Sequence, residues 1–474
     1  MGELLRPDIC VVGAGWGGVR AAVTAAAFGA PVVLVEKGKL GGAHLYAGGL
    51  ASAALMATAH KAETLRRAKP FGLNVPRPKV DFYQVHDHIQ GVIATAAPND
   101  SKERLTGLGV RVVHGTGRFK DARTLSVGDD IEIKARRFII ATGSAPAIPP
   151  ISGIEETPYL TNETIFDLLV CPKHLAVIGA TAAGLELAQA LRRLGAEVTV
   201  LDGGQPLAQE DPECAAVVLD QLEREGIALH TGVRISRIGH ARSKTHIFVA
   251  GADGEEKIEV SDLLIAAGRT PNVEELNLGA AGVKCEREGI AVDARLRTSN
   301  KRVYAVGDVA GAHSAHVAGK QAETAVRHAL LRLSPKLRSS ELPRATFTEP
   351  ELAHVGLTEA DVRQSGRAFC VLRWPLQEND RARAERQING HIKVITAKGG
   401  KILGATIVGA QASELIGSWA LAVSRGMNVR AIADLALPYP TLSEIGKEAA
   451  ISYFAPALAN PWIRRIMSIV RMLG

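Results

Sequence analysis

Three glycines and one acidic residue near the start of the sequence have the types and spacing of a nucleotide-binding turn. They are Gly13, Gly15 and Gly18, which follow one apolar run, and Glu36, which ends the next apolar run. Glycines at this spacing allow a tight turn, a close approach of the backbone to a pyrophosphate, and close packing of the following helix. An acid about 20 residues further on accepts a hydrogen bond from a ribose hydroxyl. These four residues therefore predict a dinucleotide site.

The same pattern returns in the middle of the chain. Gly179 and Gly184 flank the second turn, and Asp202 is the acid; in both copies the acid lies 23 positions after the first glycine. Thr181 stands where the middle glycine is expected. Because its Cβ atom would crowd the pyrophosphate, we expect a slightly shifted backbone with binding retained. Two matched copies predict two dinucleotide sites.

The second acid also predicts which nicotinamide dinucleotide binds. A carboxylate at Asp202 would repel a 2′-phosphate, and residues 203–207 contain no arginine that could accept one. We therefore expect NADH to be used in preference to NADPH.

Each turn lies within a strand–turn–helix–strand unit. Short apolar runs predict buried parallel strands, and the alanine- and leucine-rich segments that follow the turns predict helices. A glycine after each helix suits the C-terminal cap. Strands are predicted at 9–12, 32–35, 175–178 and 198–201, and helices at 19–28 and 185–194. The chain thus contains an internal duplication of an α/β unit.

Length and composition restrict the classes of function. The 474 residues suggest about three domains, and 46% hydrophobic with 22% charged residues is typical of a globular protein. The net charge of +7 comes from scattered basic residues and gives no nucleic-acid signature. We expect no signal peptide, membrane span or metal site. An odd, scattered set of cysteines indicates reduced thiols and a cytoplasmic location. The cysteines are Cys10, Cys171, Cys214, Cys285 and Cys370.

Three further segments suggest a family. Residues 138–143 and 263–272 are apolar runs ending in small-residue turns, and residues 303–308 end in an acid. With the two glycine turns, these segments resemble those of the pyridine nucleotide–disulfide oxidoreductases over essentially the whole chain. The resemblance implies an α/β fold with two Rossmann-like dinucleotide-binding domains, for FAD and NAD, and a C-terminal α+β dimerisation domain. It also implies a homodimer.

The resemblance assigns roles to individual residues. The first turn would bind the ADP part of FAD with Glu36 on its ribose, Asp308 would hold the ribityl–phosphate part, and Glu186 would lie beside the nicotinamide. The remaining candidate cofactor contacts are Gly42, Thr142, Gly143 and Gly268. The domains implied are 1–150 and 276–345 for FAD, 151–275 for NAD(H), and 346–474 for dimerisation.

Two departures from the family pattern restrict the reactions that this chain is expected to catalyse. The thiol enzymes of the family have two cysteines with four residues between them, at positions where this chain has His44 and Gly49. The family's C-terminal acid–base histidine is replaced by Tyr439, while the accompanying Glu444 is present. Dithiol chemistry needs a thiolate and a base for its proton. The sequence therefore argues against lipoamide, glutathione or mercuric reduction.

Flavin chemistry without a disulfide remains. Our leading hypothesis is a quinone reductase, in which hydride passes from NADH to FAD and then to a quinone-like or other small-molecule two-electron acceptor. His44 could protonate the acceptor, and Tyr439 of a second subunit could donate a hydrogen bond. His44 as a filler of the lost cysteine position stays an open alternative. Pyridine nucleotide transhydrogenation and a catalytically quiet, nucleotide-binding flavoprotein also stay open.

The last residues, 461–474, form a separate motif. At helical spacing one face is apolar and the opposite face carries Arg464, Arg465 and Arg471. This composition suits a helix lying at the inner face of the cytoplasmic membrane. Packing of the same helix within the dimer is the alternative reading. The apolar face consists of Trp462, Ile463, Ile466, Met467, Ile469, Val470 and Leu473.

Overall fold

The computed structural model describes residues 2–251, 254–312, 314–333, 338–458 and 461–472. The chain forms two compact units. The first unit contains Met1–Gly203 and Ile227–Leu337, and the second contains Gly204–Gly226 and Arg338–Gly474.

The strands described, in chain order, are β1 (Glu3–Leu5), β2 (Ile9–Val12), β3 (Val32–Glu36), β4 (Val110–His114), β5 (Gly117–Asp121), β6 (Thr124–Val127), β7 (Ile131–Ile133), β8 (Arg137–Ile140), β9 (Ser144–Pro146), β10 (His174–Ile178), β11 (Glu197–Asp202), β12 (Ile227–Thr231), β13 (Arg234–Ala241), β14 (Lys244–Gly251), β15 (Gly254–Val260), β16 (Asp262–Ile265), β17 (Arg269–Pro271), β18 (Cys285–Glu286), β19 (Gly289–Ile290), β20 (Val303–Ala305), β21 (Arg344–Thr346), β22 (Glu351–Gly356), β23 (Phe369–Pro375), β24 (His391–Ala397) and β25 (Ile402–Gly409).

The α-helices described are α1 (Trp16–Ala27), α2 (Ala43–Tyr46), α3 (Gly49–Arg66), α4 (Phe82–Ala96), α5 (Lys102–Gly107), α6 (Ala182–Leu194), α7 (Pro212–Arg224), α8 (Ala315–Leu331), α9 (Glu359–Gln364), α10 (Asp380–Glu385), α11 (Ala412–Ser424), α12 (Arg430–Ala433), α13 (Glu444–Ser452), α14 (Ala455–Leu458) and α15 (Pro461–Met472).

The first glycine turn belongs to a five-stranded sheet with the order β20-β8-β2-β3-β4, whose pairs are all parallel. All four residues of β2 are buried, as a continuous apolar run in a parallel sheet requires. Helices α1 and α8 pack against each other beside this sheet, and α1 begins at Trp16 rather than at the predicted Val19. The sheet therefore presents the turn after β2 at the carboxyl ends of its strands.

The second glycine turn belongs to a four-stranded parallel sheet with the order β12-β11-β10-β16. Strands β10, β11, β12 and β16 occupy the places that β2, β3, β4 and β8 hold in the first sheet. The antiparallel sheet β13-β14-β15 lies between β12 and β16 in the chain. The predicted duplication is confirmed at the level of strand order.

The second unit is built on the antiparallel sheet β21-β22-β25-β24-β23. Helix α11 packs against β22 and β25, and α13 against β23 and β24. Trp419 of α11 is 3% exposed, and its ring lies 3.2 Å from where a Cβ atom at Gly446 would be. Glycine at position 446 thus lets α13 approach α11 closely.

A buried lysine joins α7 to the sheet of the second unit. The ammonium of Lys393 on β24 lies 2.6 Å from Asp211, 3.2 Å from Glu213 and 2.8 Å from Glu359. The side chains of Lys393 and Asp211 are 5% and 4% exposed. The segment 204–226, assigned from the sequence to the NAD(H)-binding domain, therefore packs with the second unit. The domain boundaries themselves stay a prediction.

Candidate functional site

The first glycine turn has positions that only glycine fits. The backbone N–H of Gly13 donates to Val35 O at 2.8 Å, and Gly13 has φ +100°. A Cβ atom at Gly13 would lie 2.4 Å from Ala141 O, and one at Gly18 would lie 1.8 Å from Gly13 O. A Cβ atom at Gly15 would meet no atom within 4 Å. The backbone is thus tightly packed around Gly13 and Gly18, whereas the space beside Gly15 is open. This open space fits a pyrophosphate at the N-terminus of α1.

The acid of the first unit is held against this turn. Glu36 accepts hydrogen bonds from the backbone N–H of Ala14 at 2.5 Å and of Gly38 at 2.7 Å. These bonds place the carboxylate at the end of β3, beside the turn, where its remaining lone pairs can accept from a ribose hydroxyl. A Cβ atom at Gly42 would lie 2.8 Å from the Cα atom of Gly15. The segment that carries Gly42 therefore packs directly on the turn.

The second glycine turn repeats this geometry. A Cβ atom at Gly179 would lie 2.4 Å from Ala266 O, and one at Gly184 would lie 2.2 Å from Gly179 O. Asp202 accepts a hydrogen bond from the backbone N–H of Ala180 at 2.6 Å. Each contact has its counterpart in the first turn. The two turns are therefore equivalent in structure as well as in spacing.

Thr181 has nearly the same backbone conformation as Gly15, the glycine at the equivalent position of the first turn. Its φ and ψ are −71° and 165°, and those of Gly15 are −72° and −176°. Because φ is negative, threonine adopts this conformation without strain. Its hydroxyl accepts from the N–H of Gly184 and donates to Ala266 O, both at 3.1 Å, and thereby caps α6. The backbone shift that we expected is confined to ψ.

The segment after β8 pairs with the segment from Gly268 to Asn272, which contains β17. The hydroxyl of Thr142 donates to Asn272 O at 2.7 Å, and the Asn272 side-chain amide donates to Thr142 O at 3.0 Å. Gly143 has φ +69° and accepts from the N–H of Asn272 at 3.0 Å. Gly268 has φ +130°, and its carbonyl accepts from the N–H of Ala147 at 3.0 Å. These glycines are needed for the turns that bring the two loops together.

Asp308 lies in a hydrogen-bonded network. It sits in a 3₁₀ turn after β20, and its carboxylate accepts from the hydroxyl of Ser144 at 2.6 Å. Arg269 donates from Nε to the Ser144 hydroxyl at 2.6 Å and from Nη1 to the Asn162 side chain at 3.2 Å. Asn162 in turn donates to Ala47 O at 2.6 Å. The network fixes the carboxylate of Asp308 and ties it to the segment after His44.

His44 lies in the short helix α2. Its Nδ1 lies 2.6 Å from Gly41 O, so this nitrogen carries a proton and donates, which leaves Nε2 as the acceptor in the neutral ring. The ring packs edge-on against Trp16, with centroids 4.8 Å apart. Partial burial lowers the pKa of His44, while the Gly41 carbonyl and the charge of Asp100 oppose this shift. His44 is therefore a fixed, titratable group at the start of the loop.

The backbone of the loop itself requires glycine at position 49. A Cβ atom there would lie 2.6 Å from His44 O, and φ is +32°. The turn between α2 and α3 thus requires glycine whether or not an acceptor approaches this loop. A Cβ atom at Gly48 would come no nearer than 3.7 Å to another group, the carbonyl oxygen of Ala43.

The remaining candidate residues lie in two places. Glu186 is the fifth residue of α6 and is 9% exposed. Tyr439 and Glu444 lie in the second unit, where the exposed Tyr439 hydroxyl donates to Asp380 at 2.7 Å and Glu444 accepts from the N–H of Thr441 at 3.1 Å. The Asp380 carboxylate raises the pKa of Tyr439, so the phenol stays protonated at neutral pH. The roles of these three residues stay predictions.

Sequence reasoning did not identify four residues at this site. Trp16 packs against His44, Ser144 donates to Asp308, and Arg269 links Ser144 to Asn162. Arg269 lies within a segment that the sequence had marked, so its position at a strand end was a usable signal. The others carry no local pattern.

The residues of the first unit fit FAD on the first turn and a nicotinamide dinucleotide on the second. Each turn combines an uncrowded N-terminus of a helix with an acid at the end of the next strand. Helix N-termini favour anions, and the acid selects a ribose hydroxyl.

Comparisons with known proteins agree with this geometry. A model described as pyridine nucleotide-disulphide oxidoreductase matches residues 7–329, and the dimerisation-domain model of the same name matches residues 342–450. The second match supports a homodimer.

Similar proteins extend over nearly the whole chain. A mercuric reductase from Streptomyces lividans is 33% identical, and a dihydrolipoyl dehydrogenase from Thermus scotoductus is 36% identical; each alignment covers 94% of this chain and 96% of the relative. The crystal structure of LpdA from Mycobacterium tuberculosis superposes with a TM-score of 0.86 at 27% identity, covering 94% of this chain and 99% of the other. The HOCl-induced flavoprotein disulfide reductase RclA from Escherichia coli gives a TM-score of 0.82 at 26% identity, covering 93% and 98%. The chain therefore belongs to the pyridine nucleotide-disulphide oxidoreductase family of FAD-dependent enzymes that use NAD(P)H.

Proposed function

We propose that this protein is an NADH-dependent FAD oxidoreductase that has no redox disulfide and delivers two electrons directly to a quinone-like acceptor. One observation carries the proposal. Both nucleotide turns keep their glycine-dependent geometry, whereas residues 41–53 contain His44 and no cysteine. Dithiol chemistry requires a thiolate nucleophile, so this loop favours an acceptor that takes electrons without a thiol.

Bound FAD would supply the hydride-accepting and electron-donating chemistry. The protein's own residues bind and orient the two nucleotides: the turn at Gly13 and Glu36 holds one, and the turn at Gly179 and Asp202 holds the other. In this proposal His44 exchanges a proton through Nε2, because its Nδ1 donates to Gly41 O. The cysteines are all free, which supports a reducing, cytoplasmic compartment as part of the proposal.

Anaerobic rapid mixing of the FAD-loaded protein with NADH, followed by a soluble quinone, tests the proposal. We expect NADH to bleach the visible absorbance of the flavin and the quinone to restore it, whereas oxidised lipoamide and glutathione leave it bleached. Failure of NADH to bleach the flavin absorbance would contradict the proposal. Recovery with an NAD⁺ analogue alone would indicate transhydrogenation, and negligible turnover with every acceptor would indicate a quiet flavoprotein.

Substitution of His44 tests its role as a proton donor. Since burial holds the pKa of His44 below its ordinary value of about 6.5, the protonated fraction grows only as the pH falls through that lower value. We expect the rate of quinone reduction to increase as the pH falls through the pKa of His44. At pH values above that pKa the rate should not depend on pH. His44→Asn, whose amide nitrogen stands at the position of Nδ1 and retains a donor for Gly41 O, should abolish this rise and slow the step about 100-fold.

The matched comparison is His44→Leu, which removes both the donor and the titration. Bleaching by NADH should proceed at the parent rate in both variants, because that step does not use His44. Parent-like quinone rates and pH profiles in both variants would identify His44 as a filler of the loop.

Substitution of Asp202 tests the choice of dinucleotide. Asp202→Ser removes the charge that repels a 2′-phosphate and weakens the contact with the ribose of NADH. We expect the ratio of kcat/KM for NADH to that for NADPH to fall by about tenfold or more, equivalent to about 1.4 kcal/mol. Glu197→Ser, at the exposed start of the same strand, is the control and should leave the ratio unchanged. An unchanged ratio in Asp202→Ser would contradict the assignment.

A further inference from the structure

Helix α15 is an amphipathic helix whose apolar side chains are exposed. Trp462 is 73% exposed, Met467 52%, Ile469 53% and Val470 56%. At about 100° per residue these four positions fall on one side of the helix, within an arc of roughly 140–160°. Of the sequence motif 461–474, Leu473 and Gly474 lie outside the described residues, as do the side chains of Ile463, Arg464 and Ile466. A face of this size and composition requires an apolar partner surface.

The opposite side of the helix is basic. Arg465 and Arg471 are exposed there. Residues 461–474 contain three arginines and no acidic residue. A second copy of the helix therefore offers no acidic side chain to these arginines, because a two-fold contact uses the same surface on both copies. A surface that is both apolar and negatively charged complements the helix better.

None of the described helices is long and apolar enough to cross a membrane. An amphipathic helix with arginines on its polar side instead lies in the interface, with its apolar face in the acyl region and its arginines at the headgroups. Each arginine near the surface is attracted to anionic headgroups, and this attraction strengthens the binding of the helix to the membrane. We propose that α15 docks the protein on the surface of an anionic bilayer. The proposal is independent of the electron acceptor.

Vesicle flotation with the full-length, FAD-loaded protein tests the docking. The vesicles are phosphatidylcholine alone, or phosphatidylcholine and phosphatidylglycerol in equal parts, each at low and high salt. We expect binding to the anionic vesicles at low salt, weakening at high salt, and little binding to phosphatidylcholine. The double variant Arg465→Glu with Arg471→Glu should bind anionic vesicles about tenfold more weakly or worse.

Two further variants make the result specific. Arg123→Glu with Arg367→Glu has the same change in net charge at exposed positions elsewhere and should bind like the parent. Ile469→Ser with Val470→Ser keeps the charge and should also lose binding, because the apolar face is needed. Retained FAD and an unchanged elution volume show that each variant is folded.

Three outcomes would overturn the proposal. The first is a parent protein that does not float with anionic vesicles at low salt. The second is an equal loss of binding in the control double variant. The third is dissociation of the dimer by the α15 substitutions, which would show that the helix packs against a second copy of this chain.

Discussion

Replacement of Gly18 by alanine is expected to abolish retention of FAD. The added methyl group would lie 1.8 Å from Gly13 O, so the turn must open and α1 must move away from β2. Overpacking of this kind costs about 1–3 kcal/mol, and here it displaces the N–H groups that face the pyrophosphate. The ratio of flavin to protein absorbance after purification measures the loss, and thermal unfolding measures the stability.

Gly15→Ala is the matched control for this prediction. Its φ of −72° suits alanine, and the methyl group would meet no protein atom within 4 Å. We expect the apoprotein to unfold at the parent temperature, with FAD held more weakly because the methyl group projects toward the pyrophosphate. Full FAD retention and unchanged unfolding in Gly18→Ala would contradict the packing described for the turn.

Replacement of Lys393 by methionine is expected to destabilise the second unit by about 3–5 kcal/mol. The substitution leaves the buried carboxylate of Asp211 beside that of Glu359 without the ammonium that they share. Denaturant unfolding of the full-length protein, followed by the fluorescence of a tryptophan in this unit, measures the change.

Two comparisons separate the ion cluster from simple loss of lysine. Lys398→Met, at an exposed position in the same unit, should leave unfolding unchanged. Adding Asp211→Asn to Lys393→Met should restore part of the lost stability, since one uncompensated charge is then removed. Equal destabilisation by Lys393→Met and Lys398→Met would show that the cluster contributes nothing.

The sequence predicted the two nucleotide-binding units well, because their signals are local. Strand β2 has the predicted bounds, and β3, β10 and β11 differ by one residue at one or both ends. Helix α1 begins three residues before its predicted start, because Gly17 and Gly18 lie inside the helix rather than in the turn. Apolar runs and glycine spacing specify where a strand ends but not where the helical hydrogen bonds begin.

Contacts between distant segments could not be predicted in the same way. The hydrogen bond from Ser144 to Asp308 joins residues 164 apart in the chain, and the ion pair of Lys393 with Asp211 joins residues 182 apart. No periodicity or spacing relates such partners. The contact of Trp16 with His44 could not be predicted either, because the glycine motif specifies no residue type at position 16.

The hydrogen-bonded network around Arg269 couples the loops of the first unit that carry Ala47, Ser144, Asn162 and Asp308, so these loops should open together. The Arg269 guanidinium donates to the hydroxyl and the carbonyl of Ser144 and lies 3.4 Å from the Asp308 carboxylate. It also holds Asn162, which donates to the carbonyl of Ala47. Local fluctuations that break a single bond therefore gain little freedom, and substantial opening is cooperative. Exchange of the flavin should then be governed by one rare, concerted opening of these loops rather than by the frequent motion of any one of them.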